Sequence, residues 1–386
     1  MKTQCPGCQG KQLTQPWVVP GQPAVLNYRC HSHTAATKVP LLDLHLVECH
    51  ECGLVFNAGF DESLVPYDGG YDNQQSHSSV FWNHMEECAR HLATHYAAPA
   101  GSGIVLEPGC GKGAYLKMLC KLTGWRGLGY DTTSEAAGEG EHNTHFVNRN
   151  ASTGDIPTGI HALVCRHVIE HVGDVGAFLR LLHEMAVAGG AKVTYIETPS
   201  WEWIVAQAAF WDVFHEHCNY FTAATLQHLA KDAGFHVLEH FTTFGGQYQS
   251  LYLGTSDTFA SRDRAQPSPS ELDAFARKAD AAKATLQSHL VVNGAGRGPY
   301  AIWGAGAKGV TLANTFTHLG MAPSIIIDSN PGKAGTFIPG VAVPVHPPGR
   351  ATLEKVPLIV IPNPNYLPEI QETLRNLGLN PTLVSI

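Results

Sequence analysis

Two apolar runs in this chain break on a glycine-rich turn and re-enter as a helix, and nothing else constrains its architecture as tightly. The first is Ile104-Val105-Leu106-Glu107-Pro108-Gly109-Cys110-Gly111-Lys112-Gly113; the second is Trp303-Gly304-Ala305-Gly306-Ala307-Lys308-Gly309. Strand, glycine turn and helix in that order open a βα unit, and ligands of such units bind at the carboxyl edge of the sheet. Around the first turn, short apolar runs at Gly127–Tyr130, Ala162–Cys165 and Lys192–Ile196 alternate with helical patterns over Ala114–Leu122 and Val175–Ala188. That alternation predicts a doubly wound parallel sheet. Around the second, Tyr300–Trp303, Ser324–Ile327 and Pro357–Ile361 read as buried parallel strands. The expected fold class is α/β, with a central doubly wound Rossmann-like domain and a C-terminal Rossmann-like α/β domain.

The amino-terminal part follows a different rule. Cys5-Pro6-Gly7-Cys8 and Cys49-His50-Glu51-Cys52 are two CxxC knuckles, and Leu41–Val47 before the second reads as a strand. Thiolates two residues apart in a tight turn share one tetrahedral zinc, and a second such pair closes the site. Cys5, Cys8, Cys49 and Cys52 are therefore the expected ligands of a structural Zn2+. Cys30 and His33 stand between the pairs as alternative donors. A closed four-thiolate site leaves no position for catalysis. The expected organisation is a small zinc-binding module over residues 1–70, a central domain over 71–255, a linker and helix over 256–298, and a C-terminal domain over 299–386. The linker rests on polar Ser256–Ser270 with Pro267 and Pro269, Ser270 capping a helix with Leu272, Phe275, Ala276, Ala279 and Leu286 on one face, and Gly294–Gly298 ending it.

The chain's 386 residues suffice for two or three domains. Charged residues make up 15% and apolar residues 44%, which excludes long charged disordered tails. A formal charge of −8 argues against a phosphate-backbone binder, so no nucleic-acid partner is expected. No secretory leader pattern opens the chain, and no run reaches the ~18 apolar residues of a membrane span. A cytoplasmic protein without a membrane partner is the expectation, and there ten cysteines mean metal binding or free thiols.

The first glycine turn lets backbone approach a ligand at Gly109, Gly111 and Gly113, and Asp131 at the end of the next strand suits the hydroxyls of a ribose. Glu107 would sit against the pyrophosphate of a dinucleotide but suits the cationic head of S-adenosylmethionine, which favours the methyl donor. The second turn carries Lys308 instead of an acid. Helix-terminal amides plus a lysine suit phosphate, and Asn330 and Lys333 follow the next strand, so a nucleotide-bearing ligand is expected there. The competing reading is a packing turn that binds nothing. In Phe214-His215-Glu216-His217 an imidazole near its usual pKa of ~6.5 can serve as general base, although structural histidines or metal ligands fit the local sequence as well. His167-Val168-Ile169-Glu170-His171 matches the HxxEH pattern of zinc proteases, but directly after a strand of the cofactor sheet it is expected to line the cofactor or cap a helix.

Taken together, the knuckles, Leu106–Gly113, Arg166–His171, Ile196-Glu197-Thr198-Pro199-Ser200, Gly304–Gly309 and Asp328-Ser329-Asn330-Pro331-Gly332-Lys333 with Pro339-Gly340 resemble the nucleotide-sugar C-methyltransferases over nearly the whole chain. The resemblance implies a three-part enzyme that methylates a keto-deoxysugar at carbon: a base removes the proton alpha to the ketone and the enolate attacks the methyl of S-adenosylmethionine. It implies His217 as base, with Glu216 contacting substrate or orienting the ring. His167 goes to the cofactor, and Tyr71, Glu197, Gly246, Lys308, Asn330 and Lys333 to a nucleotide-diphosphate sugar. Position and aromatic content make Tyr71–Ser78 the expected lid. Phe214 stands where the family has tyrosine, and Cys218-Asn219 also departs from the family pattern. Two alternatives follow: the same fold acting on a non-sugar carbon, oxygen or nitrogen, or a non-catalytic nucleotide-binding scaffold.

Overall fold

A strand buried on both faces must find a layer on each side, and the odd and even residues of the central strands sort into two such layers. The computed structural model describes residues 1–72, 74–98, 102–133, 137–255, 271–292 and 299–386; the expected linker Ser256–Ser270 and the stretch Gly294–Gly298 lie outside them. Val105, Val164, Val193 and Tyr195 pack with Phe81, Met85 and Leu92 of the helix Ser79–His95 and with Leu116 and Leu119 of the helix Ala114–Thr123. Their neighbours Leu106, Leu163, Cys165 and Ile196 face the other way, onto Leu179 and Leu182 of Val175–Gly189 and Leu226 and Leu229 of Ala223–Asp232. Period-two alternation of apolar side chains on both faces is what a sandwiched central sheet requires.

That sheet has eight strands in the order His236–Thr243, Tyr248–Gly254, Val193–Pro199, Ala162–Arg166, Ile104–Pro108, Arg126–Tyr130, Thr144–Val147, Gly138–Glu139. Its core is parallel and Rossmann-like, as expected, but the sheet as a whole is mixed. His236–Thr243 and Tyr248–Gly254 form an antiparallel hairpin that pairs antiparallel with Val193–Pro199, and Gly138–Glu139 is also antiparallel. For the two hairpins the cause is loop length: so short a connection between strands cannot make a parallel crossover.

The carboxyl-terminal sheet is wholly parallel, in the order Val345–His346, Ile325–Ile327, Tyr300–Trp303, Leu358–Ile361, Thr382–Ser385. Gly309 is required there: a Cβ on it would lie 1.8 Å from the Gly304 carbonyl oxygen, so only glycine lets the helix Ala307–His318 seat against its strand.

A third, antiparallel sheet joins the amino-terminal strands Trp17–Pro23, Leu41–Glu48 and Val55–Asn57 to Asn219–Tyr220. Its last strand comes from far along the chain, one residue beyond His217. The Asn57 amide donates to the Cys218 carbonyl at 2.9 Å, so the amino-terminal module fixes the backbone of the histidine segment.

Candidate active site between two glycine turns

Two cavities open on the two glycine turns. One of about 500 Å³ lies at the first turn and one of about 220 Å³ at the second. Both are walled by the same three residues, Gln74, Gln75 and His167. The 74–78 segment is held in place by the carboxyl-terminal domain: Ser78 Oγ donates to Glu369 Oε2 at 2.7 Å and Tyr366 OH donates to Gln75 Oε1 at 3.0 Å.

In the larger cavity Gly109 and Gly111 line the wall, and a Cβ on Gly111 would meet nothing within 4 Å. Gly113 is different. It caps the helix at φ 75°, and a Cβ there would strike Phe146 at 2.2 Å, so it is glycine for packing and does not line the cavity. Asp131 also lines the cavity, and it accepts the Gly111 amide at 2.8 Å and the Thr133 amide at 2.7 Å, which braces the turn. Glu107 is 3% exposed, and its Oε2 finds no partner among the described residues. Burial pushes its carboxyl up to about 8, against the pull of Arg166.

His167 leaves the strand Ala162–Arg166 at φ 51°, a strained left-handed conformation for a side-chain-bearing residue. Its Nε2 lies 2.8 Å from Glu197 Oε1 and its Nδ1 lies 3.4 Å from Glu170 Oε1. Burial lowers its basicity, but Glu170 and Glu197 outweigh that and hold the imidazolium up to about 9. Glu197, expected at substrate, lines neither cavity. It is fully buried, accepts from Arg166 Nη2 at 2.7 Å and from Cys88 Sγ and Tyr195 OH, and lies 3.3 Å from His84 Nε2. Burial opposes its ionisation, yet Arg166, His167 and His84 hold its carboxyl well below the usual range. It supports the wall from behind.

Glu216 is likewise placed behind the wall, outside both cavity linings. It accepts from the Leu26 amide at 2.7 Å, Asn27 Nδ2 at 3.1 Å and Tyr71 OH at 3.2 Å. Tyr71, so anchored, lines the larger cavity and not the smaller one. Gly246 adopts φ 84° in the turn, but the side chain that reaches the smaller cavity is its neighbour Gln247.

The smaller cavity is lined by His217, Phe214, Lys308, Asn330 and Lys333 among others. Lys308 Nζ is paired with Asp212 and lies 5.0 Å from the Trp203 ring centre. Lys333 Nζ donates to the Ala305 carbonyl at 3.1 Å, and Asp328 accepts the Ala305 amide of the glycine turn at 2.6 Å. The His217 ring lies 4.0 Å from the Phe214 ring, centre to centre, tilted by 38°, and its Nδ1 is buried without a partner among the described residues. Burial, then His171, His167 and Lys308, hold its pKa well below the usual value, so it is a neutral base at pH 7. Ligand-type atoms of Glu170, His171 and His217 lie within 4.8 Å of one another. His171 Nδ1 is already 3.3 Å from Tyr67 OH, which suits moving protons better than seating a cation. The HxxEH histidines do not converge as a protease site, since His167 faces Glu197 instead.

Sequence reasoning missed Asp212 and did not single out Arg166 as a wall residue. For Arg166 a signal existed: it ends the strand beside the one that ends near Glu107.

Away from the cavities, Cys5, Cys8, Cys49 and Cys52 converge with Cys5–Cys52 and Cys8–Cys49 sulfur separations of 3.6 Å each. Zn–S bonds of ~2.3 Å in a tetrahedron demand sulfur–sulfur edges of about 3.8 Å, so the donors fit. Gly7 and Gly10 amides donate to Cys5 and Cys8 sulfurs. Cys30 packs elsewhere, against Ala36 and Ala342.

Residues 81–240 match the methyltransferase domain family and residues 261–380 the C-methyltransferase C-terminal domain family. Among solved structures, a chain of the complex between the Haloferax volcanii Trm112 methyltransferase activator and a methyltransferase is similar at 15% identity, over 47% of this chain and 96% of that one, with TM-score 0.35. Magnesium protoporphyrin IX methyltransferase from Synechocystis PCC 6803 is similar at 13% identity, over 46% and 84%, with TM-score 0.36. The Burkholderia thailandensis 1,6-didemethyltoxoflavin-N1-methyltransferase is similar at 16% identity, over 46% and 82%, with TM-score 0.34. No curated protein matches the chain. With a methyltransferase domain followed by a C-methyltransferase C-terminal domain, the chain is a methyltransferase.

Proposed function

We propose that this methyltransferase moves the methyl of S-adenosylmethionine, held in the larger cavity, onto an enolisable carbon of a nucleotide-linked keto-deoxysugar held in the smaller one. The observation that carries the reading is the shared wall: Gln74, Gln75 and His167 belong to both cavities, so a donor and an acceptor would meet there. The larger cavity offers the glycine turn, Glu107 for a cationic head and Asp131 for ribose hydroxyls. The smaller is rich in amides, from Asn27, Gln247, Asn330 and Asn363, which donate to and accept from sugar hydroxyls.

His217 takes the proton alpha to the ketone. Its unpartnered Nδ1 and neutral state suit it to accept, and Glu170 nearby offsets the charge that then forms. Closure by the 74–78 segment would exclude water, which otherwise reprotonates an enolate. Zn2+ held by the four cysteines would brace the amino-terminal module, and through Asn219–Tyr220 the histidine segment.

A second reading keeps the donor and changes the acceptor. It draws on Lys308 being paired with Asp212 and on Asp328 and Glu369 lining the same cavity, which leaves little free positive charge for a diphosphate. The test is mass spectrometry of purified protein with labelled donor and a panel of nucleotide sugars. A mass gain on a keto-deoxysugar nucleotide supports the first reading, and His217→Asn should then cut kcat by about 10²–10⁴ with donor affinity unchanged. Tight donor binding without any nucleotide-sugar methylation favours the second.

A further inference from the structure

Asn27 comes from the amino-terminal module, is 3% exposed and lines the smaller cavity, and its Oδ1 has no partner among the described residues. The rest of the residue is spent. Its amide donates to Glu216 Oε1 at 3.4 Å, its carbonyl accepts the Asp72 amide at 2.8 Å, and its Nδ2 donates to Glu216 Oε2 at 3.1 Å. Glu216 also takes the Leu26 amide and the Tyr71 hydroxyl. Burial raises its carboxyl, and these donors pull the other way. A carboxylate so loaded only accepts, so the carboxamide atom facing it is the nitrogen and the atom facing away is the oxygen. That oxygen looks onto the second glycine turn, since a Cβ built on Gly306 would stand 3.8 Å from it. Gly306 also opens the helix Ala307–His318 and has no side chain to cap the amides of its first turn, which lack intrahelical partners. Lys333, in the same cavity, has its Nζ on the Ala305 carbonyl. A group lodged there meets a buried acceptor on one side and amide donors on the other. An ionised phosphate or a ketone can only accept, and an ammonium can only donate; a hydroxyl does both.

We propose that Asn27 is a specificity-determining residue whose Oδ1 accepts a hydrogen bond from one hydroxyl of the methyl acceptor, and that Glu216 is the positioning residue that keeps this oxygen turned toward it. The inference deepens the reading of the smaller cavity as the acceptor's site and rests on it. It sets a sugar hydroxyl, and not the diphosphate, against Gly306. It also gives Glu216 a part in the choice of acceptor, exerted through Asn27, although its carboxylate lies outside both cavity linings.

The test uses the full chain, labelled S-adenosylmethionine and a thymidine-diphospho-4-keto-6-deoxyglucose series in which one hydroxyl at a time, on either sugar ring, becomes hydrogen or fluorine. Fluorine keeps most of the size but cannot donate. At one position both replacements should cost wild type about 10- to 100-fold in kcat/KM, because they leave a buried acceptor unpaired. At the other positions fluorine should cost little. In Glu216→Gln the carboxamide is free to turn over, so the hydroxyl-to-fluorine ratio at the sensitive position should shrink. In Asn27→Leu, which leaves nothing unpaired, the ratio should fall to near unity. A merely structural loss would lower turnover on every member of the series alike and leave the ratio intact in both variants, which overturns the proposal. The series on wild type needs no variant to fold. Methylation of the parent with no position sensitive to fluorine also overturns the proposal and keeps the acceptor reading. A parent that neither binds in calorimetry nor gains a methyl overturns both.

Discussion

Truncating Glu216 to alanine separates a brace from a substrate contact. The carboxylate takes the Leu26 amide, Asn27 Nδ2 and Tyr71 OH, all in the protein interior. Three net hydrogen bonds at about 1 kcal/mol each give about 3 kcal/mol, and relief of a buried carboxyl, whose pKa burial raises, returns part of it. A net local loss of about 2 kcal/mol is expected, equivalent to about 30-fold in an opening equilibrium. The assay is hydrogen exchange read by mass spectrometry on peptides covering residues 24–29 and 67–72. In Glu216→Ala the Leu26 amide should exchange about 30-fold faster, while peptides in the carboxyl-terminal sheet keep wild-type rates. Turnover falls too, because Asn27 and Tyr71 line the cavities. If turnover collapses while exchange at residues 24–29 stays at the wild-type rate, the brace is refuted and Glu216 acts on the substrate itself.

Fresh protein should contain about one equivalent of zinc, and a chelator or Cys52→Ser should lower the urea midpoint, because metal binding to a preformed thiolate site is coupled to folding. Metal analysis well below one equivalent would count against the site. His167 gives a pH signature. Its imidazole rises from 6.5 unfolded to about 9 folded, so its contribution is full below pH 6.5 and lost as pH rises through 9. The 6.5-to-9 rise corresponds to about 3 kcal/mol, and His167→Asn should flatten that alkaline loss in urea titrations run from pH 6 to 10. An unchanged slope would sink the assignment.

What was legible in the sequence was local. The glycine turns, the alternation of strands and helices and the cysteine knuckles each rest on neighbours within a few residues, and all appear where expected. Side-chain direction across strands was not legible. Glu107 and Glu197 are both acids at strand ends, yet one opens on a cavity while the other is held by Arg166 from the adjacent strand. Glu216 and His217 are consecutive and face opposite ways, one onto Leu26 and Asn27, the other into the smaller cavity. No periodicity in a short irregular segment encodes that. The antiparallel hairpin at the sheet edge was not legible either: strand polarity follows from loop length, and Gly246 in the reversal between its strands carried only a substrate assignment.

The pairing of Val55–Asn57 with Asn219–Tyr220 sets an order of assembly. On the ribosome the amino-terminal strands emerge long before their last partner, and they must wait with an open edge while the parallel half of the central sheet is made. Only when that late dipeptide docks does the imidazole beside it acquire its address.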